Sequence, residues 1–496
     1  MAEKSIIIIG AGLAGLSTGC FAQMNGYKTK IYEMQTKPGG VCVSWQRKDY
    51  TFDYAVHNLF GTAANSVNNH LWLELGALEG LQTYSFKEFV QVEDVDGKVF
   101  TVHTDLDALK KHMDELSPND KKLTDEFIKA VRRFSSYDLF AALQGSVMTK
   151  LKMLPIMNSL MKYSKITIKQ YADQFSDPFL RKAFATIQYD IPEVPTLIPI
   201  IFLSTLSRGD GGWPIGGSTA LSKNIEKRYL SLGGEIAYNS MVSKVLVENN
   251  QAVGVELEDG SKQYANNVVS AADGYSTIYQ MLQGKYVNKL IDAYYKNYPK
   301  TQAFGLEVWY GINRDLTAEP HALVLFLDTP LNVEGKNHDR LDIEIFSFDP
   351  TLAPAKKSVV KVVFESDYDY WHQLAEQPEK YRDEKQKVAD QIAERLEKRF
   401  PEFKTQIEAQ DVVTPVSVEH WTSSYRGCQA WGAPKEYAKQ ASKNGISKTL
   451  PGFENFYMVG QWAGGTIGLN TVCLLGRNIV KELCRKDNKK FKTTTV

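Results

Sequence analysis

Gly10, Gly12 and Gly15 stand in the G-x-G-x-x-G spacing directly after the apolar run Ile6–Ile9, and Glu33 follows Gly15 by 18 residues. Each piece suits the binding of a dinucleotide. Gly10 makes a tight turn, Gly12 admits a pyrophosphate against the backbone, and Gly15 allows a helix to pack on the preceding strand. Leu13 and Ala14 open that helix, whose free N–H groups face the phosphates. The carboxylate of Glu33, followed by Met34, accepts the ribose hydroxyls.

The elements needed to hold these groups are legible around them. "SIIIIGAG" reads as a strand and a tight turn, Leu13–Met24 as a helix ended by Gly26, and "KTKIYE" as a second strand. A second glycine pair, Gly39-Gly40, follows Glu33 by six residues and precedes Val41. A nicotinamide domain normally enters another helix at this point. A Gly-Gly that lets the chain run beside a pyrophosphate and ribityl chain points instead to FAD.

The other end of the sequence carries a matching segment. "NFYMVG" (Asn455–Gly460) reads as a short buried strand, "QWAGGTIG" as a glycine loop, and Leu469–Cys484 as a helix. A helix that starts at such a loop presents bare N–H groups and a positive dipole end. Taken with the N-terminal fingerprint, Gly460, Gln461, Gly468 and Leu469 are expected at the electron-rich edge of a flavin. Taken alone, the segment is equally a C-terminal packing helix.

In the middle, "RGDGGWPIGGSTAL" (Arg208–Leu221) places five glycines and a proline around Trp213. Ser218 is expected to cap the following helix, with Leu221, Ile225, Tyr229 and Leu232 as its apolar stripe and Ser222 on its exposed side. Strands with turns at Asn249-Asn250 and Asp259-Gly260 come next, returning to "VVSAAD". Val242 and Ala271, at the two ends of that run, complete the expected cofactor-binding set.

At 496 residues the chain exceeds one hydrophobic core. We expect a discontinuous FAD-binding domain from residues 1–75, 208–299 and 411–496, with a substrate domain from 76–207 and 300–410. Lys+Arg and Asp+Glu are both 58, so no charge field selects nucleic acid. Five cysteines without a C-x-x-C pair argue against a disulfide framework or zinc knuckle and suit a reducing, cytoplasmic setting. No apolar run is long enough to span a bilayer. The most apolar parts of the substrate region are Lys150–Tyr163 and Ile191–Ser204. They read as a tunnel or membrane-dipping surface for a lipophilic substrate, or as ordinary core; Pro192, Pro195 and Pro199 exclude a long regular helix from the second. Glu379–Phe403 is an amphipathic helix to which no function is assigned.

No Ser/His/Asp, Cys/His or metal spacing is present, and no second G-x-G-x-x-G follows a strand. Weak catalytic candidates are His57 in "FDYAVH", equally read as a structural histidine, with Trp213 as a flat wall and Gly217 as backbone lining the cofactor.

Taken together, "IIIIGAGLAGL…E…PGG", "FDYAVH", "GGWPIGGSTALSKNIEKRYLSLGGEI", "VGVELEDG…VVSAAD" and "NFYMVGQW…LLGRN" resemble the phytoene desaturase, carotenoid isomerase and retinol saturase group of FAD-dependent oxidoreductases, cousins of the flavin amine oxidases. Gln461 stands where many relatives carry Asp, "AGGTIG" where many carry Gly-Pro-Gly-Gly, and Val41 where several carry Arg. The resemblance implies an α/β fold with a Rossmann-type, glutathione-reductase-like nucleotide domain and an interleaved α+β substrate domain containing a mixed sheet. It also implies non-covalent FAD beside the P-x-G-G turn and redox or isomerisation chemistry at CH–CH or C=C bonds of a polyene or isoprenoid. The alternatives are a flavin amine oxidase, with Tyr425, Trp431 and Trp462 as an aromatic cage, and a non-catalytic flavin-containing lipid-binding protein. The sequence gives no oligomeric state.

Overall fold

A computed structural model describes residues 4–64, 66–137, 153–298, 300–427, 446–463 and 468–496. Its nucleotide-side sheet has five strands in the order Glu235–Ala237, Lys28–Tyr32, Ser5–Ile9, Asn267–Ser270, Phe456–Met458, all parallel. Three stretches far apart in the chain therefore build one sheet, with the first strand in its centre. The connection from that strand leads to Lys28–Tyr32 on one side, and the chain from its other neighbour, Asn267–Ser270, goes on to Phe456–Met458 on the opposite side, so the order reverses beyond its carboxyl end at Gly10, where open α/β sheets bind ligands.

The strand Ser5–Ile9 is buried on both faces, with alternate isoleucines in different cores. Ile6 and Ile8 pack on the side holding Leu16, Phe21, Ile225 and Tyr229, and Ile7 and Ile9 on the side holding Val245, Val255, Ile278 and Met458. Helices Leu13–Met24, Gly217–Ser231 and Leu469–Lys486 cover the first face. An antiparallel meander of Val242–Glu248, Gln251–Leu257 and Lys262–Tyr264 covers the second, with Asn249 and Asn250 at positive φ in its first turn. Fully burying each such isoleucine contributes roughly 1.5–3 kcal/mol. The α/β, Rossmann-type expectation is borne out.

The second large sheet has seven strands in the order Ile407–Val413, Thr301–Ile312, Ser358–Asp367, Lys336–Ile345, Ala322–Val333, Glu88–Glu93, Val99–His103. It is mixed: only Ala322–Val333 and Glu88–Glu93 run parallel. The Ile407–Val413 strand is continuous across residues 410 and 411.

Two apolar segments divide differently from expectation. Lys150, Leu151 and Lys152 lie outside the described residues. In the remainder, Met153, Ile156 and Tyr163 are core, while Leu154 is 61% exposed and Met157 and Met161 are also on the surface. In the second segment Leu197–Leu206 forms a ten-residue helix. Pro192 and Pro195 precede it and Pro199 falls in its first turn, where a missing N–H costs little.

Candidate functional site

Glycine segments from three parts of the chain meet at the start of the Leu13–Met24 helix. Gly10 N–H donates to Tyr32 O at 2.8 Å, Ala271 N–H to Ile9 O at 2.8 Å, and Gly39 N–H to Ala11 O at 2.9 Å. Gly12 pairs with Gly39 in a parallel bridge. A Cβ on Gly12 would lie 3.8 Å from Gly39 O and 4.0 Å from Gly40 Cα, and one on Gly460 would lie 3.7 Å from Ala14 Cβ. Side chains at these positions would fill the gap between the segments. The helix N-cap is Gly12, with no side-chain cap and no acidic residue in the first turn. Its N–H groups are left for a ligand.

Glu33 is buried at the edge of this cradle. Its Oε2 accepts from Ala11 N–H at 2.6 Å and its Oε1 from Gln35 N–H at 2.9 Å. Burial pushes the carboxyl up, and those N–H donors act against the shift. Met34 beside it is in contact with Ser423. Ser240 N–H donates to Glu33 O at 2.8 Å, which brings the chain leading to Val242 past the acid. Asp273, two residues beyond Ala271, is buried; its carboxyl is pushed up to about 6 by burial, and Ser276 N–H donates to its Oδ1 at 2.9 Å. Val41 and Gln461 sit half-buried in the adjoining turns.

The Leu469–Lys486 helix likewise begins at a glycine, Gly468, without a side-chain cap. Asn470 Nδ2 donates to Phe60 O at 2.9 Å, tying this helix start to the segment after His57. Gly476 sits against Ala14 O and Thr18, and this close approach packs the helix onto Leu13–Met24. Residues 464–467 of the glycine loop lie outside the described residues. Asn58 Oδ1 and Thr62 Oγ1, on either side of Leu59–Phe60, are buried and meet no hydrogen-bond partner among the described residues. Such orphaned polar atoms call for a bound partner. Uncapped helix N-termini, the glycine gap and the acid at its edge fit a dinucleotide with an extended polar chain.

The middle glycines have other reasons than the sequence suggests. Gly211 and Gly212 lie in a short strand that pairs with Leu59–Phe60, while Trp213 and Pro214 pair with Thr83–Tyr84. Trp213 is 1% exposed; its Nε1 donates to Asp349 Oδ2 at 2.7 Å, and it packs edge-on to Phe346 and Phe348. Enclosed by protein, it offers no open wall to a cofactor. At Gly217, with φ +60°, a Cβ would lie 2.3 Å from Asp53 Oδ2 and 3.0 Å from Trp213. The glycine makes room for a carboxylate on the side where a Cβ would stand. Ser218 is not the N-cap; Gly216 is. Ser218 instead donates its N–H to Asp53 Oδ2 and its hydroxyl to Asp53 Oδ1, both at 2.6 Å. Asp53, absent from the sequence-derived set, therefore neutralises this helix start. Ser222 is buried, not exposed.

His57 lies between these anchors. Val56 N–H reaches Ser218 Oγ at 3.2 Å, and His57 Nδ1 is 2.5 Å from Glu344 Oε1 on the seven-stranded sheet. Its ring is 6.2 Å from that of Phe304, which holds φ +57°. Phe60 meets Phe202 at 5.0 Å, and Phe202 meets Phe89 at 5.8 Å, an aromatic run from the site into the Leu197–Leu206 helix. Of the proposed amine cage, Tyr425 stacks on Tyr275 at 3.9 Å, Trp462 is buried, and Trp431 lies outside the described residues.

Comparison with known proteins accords with this geometry. Residues 8–75 match the NAD(P)-binding Rossmann-like domain. Prolycopene isomerase 1, chloroplastic, of an Oncidium hybrid cultivar is 25% identical over 83% of this chain and 73% of its own length. The lycopene-forming phytoene desaturase of Pseudescherichia vulneris is 25% identical over 86% of this chain and 88% of its own. The solved structure of an oxidoreductase from Methanosarcina mazei superposes with a TM-score of 0.62, 19% identity, and coverage of 96% of this chain and all of that one. The resemblance drawn from the sequence motifs is thus borne out. The cofactor site is that of a nucleotide or flavin. Among the described residues no helix is long and apolar enough to cross a membrane.

Proposed function

We propose that this protein binds FAD at the Gly12, Gly39-Gly40 and Gly460 cradle and acts on CH–CH or C=C bonds of a lipophilic polyene or isoprenoid of the carotenoid or retinoid kind, by desaturation, saturation or isomerisation. The observation that carries the proposal is the meeting of those glycines, from three distant parts of the chain, at the uncapped start of the Leu13–Met24 helix. Support for the substrate class comes from relatives named for polyene reactions over more than four-fifths of this chain.

In this reading Leu13 and Ala14 N–H groups hold the pyrophosphate and Glu33 takes the ribose hydroxyls. Gln461, Gly468 and Leu469 bring the second helix start to the isoalloxazine. Bound there, FAD supplies two-electron redox chemistry at carbon. Residues 1–75, 208–299 and 414–496 carry the cofactor, and 76–207 with 300–413 enclose the substrate. The Phe60–Phe202–Phe89 run lines an apolar path, and exposed Leu154, Met157 and Met161 form the surface that meets a lipid bilayer.

The test is anaerobic mixing of the oxidised or dithionite-reduced flavoprotein with separate polyene and amine panels. Flavin absorbance changes and altered polyene products with the first panel alone support the reading. Bleaching by amines alone replaces it with an amine oxidase.

A further inference from the structure

Asp273 stands just beyond the carboxyl end of the Asn267–Ser270 strand, beside the crevice, and only half of its carboxyl is used. The residue is 4% exposed. Ser276 N–H donates to Oδ1 at 2.9 Å, whereas Oδ2 is buried and meets no hydrogen-bond partner among the described residues. Burial pushes the carboxyl up to about 6, and the N–H groups of Ser276, Tyr425 and Tyr275 with the Ser276 hydroxyl act against the shift. At neutral pH the group is therefore mostly ionised, and a carboxylate only accepts. A buried carboxylate oxygen is costly unless a donor reaches it.

The segment Trp421–Tyr425 crosses this end of the crevice and touches its edges in turn. Trp421 Nε1 donates to Gly40 O at 3.3 Å, and Gln35 Nε2 donates to Trp421 O at 2.7 Å. Ser423 Oγ donates to Met34 Sδ at 3.5 Å, next to Glu33, and Ser423 O accepts from Ser276 Oγ at 2.8 Å. Tyr425 N–H faces the Asp273 carboxyl, and the Tyr425 ring stacks on Tyr275 at 3.9 Å. The segment bends to make these contacts. Ser423 holds φ +54°, a left-handed conformation that costs a non-glycine residue free energy and persists where the surroundings impose it. The Gly39-Gly40 turn, the ribose acid and Asp273 are thus gathered under one length of chain.

A dinucleotide offers few donors to a carboxylate at this place. Its phosphates are acceptors, which a carboxylate repels. In the functional reading above, Glu33 takes the ribose hydroxyls and the flavin ring lies toward the start of the Leu469–Lys486 helix. The donor that remains beside the ribose is the exocyclic amino group of adenine. Resting on that reading, we propose that Asp273 recognises the adenine of FAD, its Oδ2 accepting from this amino group, and that Trp421–Tyr425 is the strap that holds the base in place. Hydrogen bonds to an ionised acceptor are among the stronger ones, so Asp273 sets the choice of base as well as the affinity. A base with a carbonyl in place of the amino group sets two acceptors against each other.

Calorimetric titration of the flavin-stripped protein tests this, with FAD and with flavin hypoxanthine dinucleotide, which carries a carbonyl where adenine carries its amino group. Wild-type protein should bind FAD about 10- to 100-fold more tightly than the analogue. Asp273→Asn, whose amide can donate, should erase or reverse that preference. Equal affinity of the wild type for the two ligands, or an undiminished preference in Asp273→Asn, overturns the role of Asp273 and leaves the FAD reading intact. Wild-type protein that binds neither overturns the FAD reading, and this inference with it. For the strap, Trp421→Phe removes the hydrogen bond to Gly40 and should speed FAD release after dilution by at least about fivefold. An unchanged release rate overturns the closure.

Discussion

Asp53 accepts two hydrogen bonds from Ser218, one from the backbone N–H and one from the hydroxyl, each 2.6 Å long. A third donor, the hydroxyl of Ser44, reaches Asp53 Oδ2 at 2.8 Å. The carboxylate is 1% exposed. It fastens the strand that precedes His57 to the first turn of the Gly217–Ser231 helix, and so ties that segment to the middle glycine loop.

Asp53→Ala should therefore destabilise the protein by about 2–4 kcal/mol, because it strands several buried donors at once. Asp53→Asn keeps one acceptor and should cost roughly half as much. Urea unfolding of both variants checks this; equal loss in the two would show that shape, not hydrogen bonding, is what Asp53 supplies.

Gly217 and Gly209 separate conformation from space. Both have positive φ, +60° and +69°, but nothing lies within 4 Å of a Cβ on Gly209, whereas Asp53 Oδ2 lies 2.3 Å from one on Gly217. Gly209→Ala should cost about 1 kcal/mol, the conformational penalty alone. Gly217→Ala should cost at least about 2 kcal/mol more, since overpacking adds to it. Similar melting temperatures for the two would refute the close contact.

Glu307 gives the pH signature. Its carboxyl is raised from 4.5 to about 8 in the folded protein, so between these values the folded state holds a proton that the unfolded chain has lost. Stability contributed by this group is complete below pH 4.5 and declines as pH rises toward about 8. Glu307→Gln, which cannot ionise, should gain on the wild type across that window, by on the order of a few kcal/mol. Melting curves from pH 5 to 9 read the difference; a gap that is flat with pH would mean that Glu307 is ionised when folded.

The sequence made local features legible and left the non-local ones hidden. The Leu13–Met24 helix and the Asn249-Asn250 turn match expectation because caps, glycines and turn residues act within a few positions. The cap expected at Ser218 does not form, because the group that accepts its N–H, Asp53, is 165 residues away. The cluster of Glu307, Lys361 and Glu344 on one face of the seven-stranded sheet is assembled by strand register, which no single strand specifies. Its one sequence signal is a lone charge inside an apolar run, as in "VVKVVF" and "IEIF". Trp213 looked available because glycines surround it, yet Asp349 and two phenylalanines enclose it.

Flavin content tests the central claim most directly. Purified protein, extracted and quantified after incubation with FAD, should hold about one FAD per chain, and Gly12→Val, whose side chain enters the gap facing Gly39 and Gly40, should hold none while keeping a native far-UV spectrum. Wild-type protein that stays colourless with excess FAD, or a Gly12→Val variant that binds it as fully as the wild type, would contradict the assignment of this cradle.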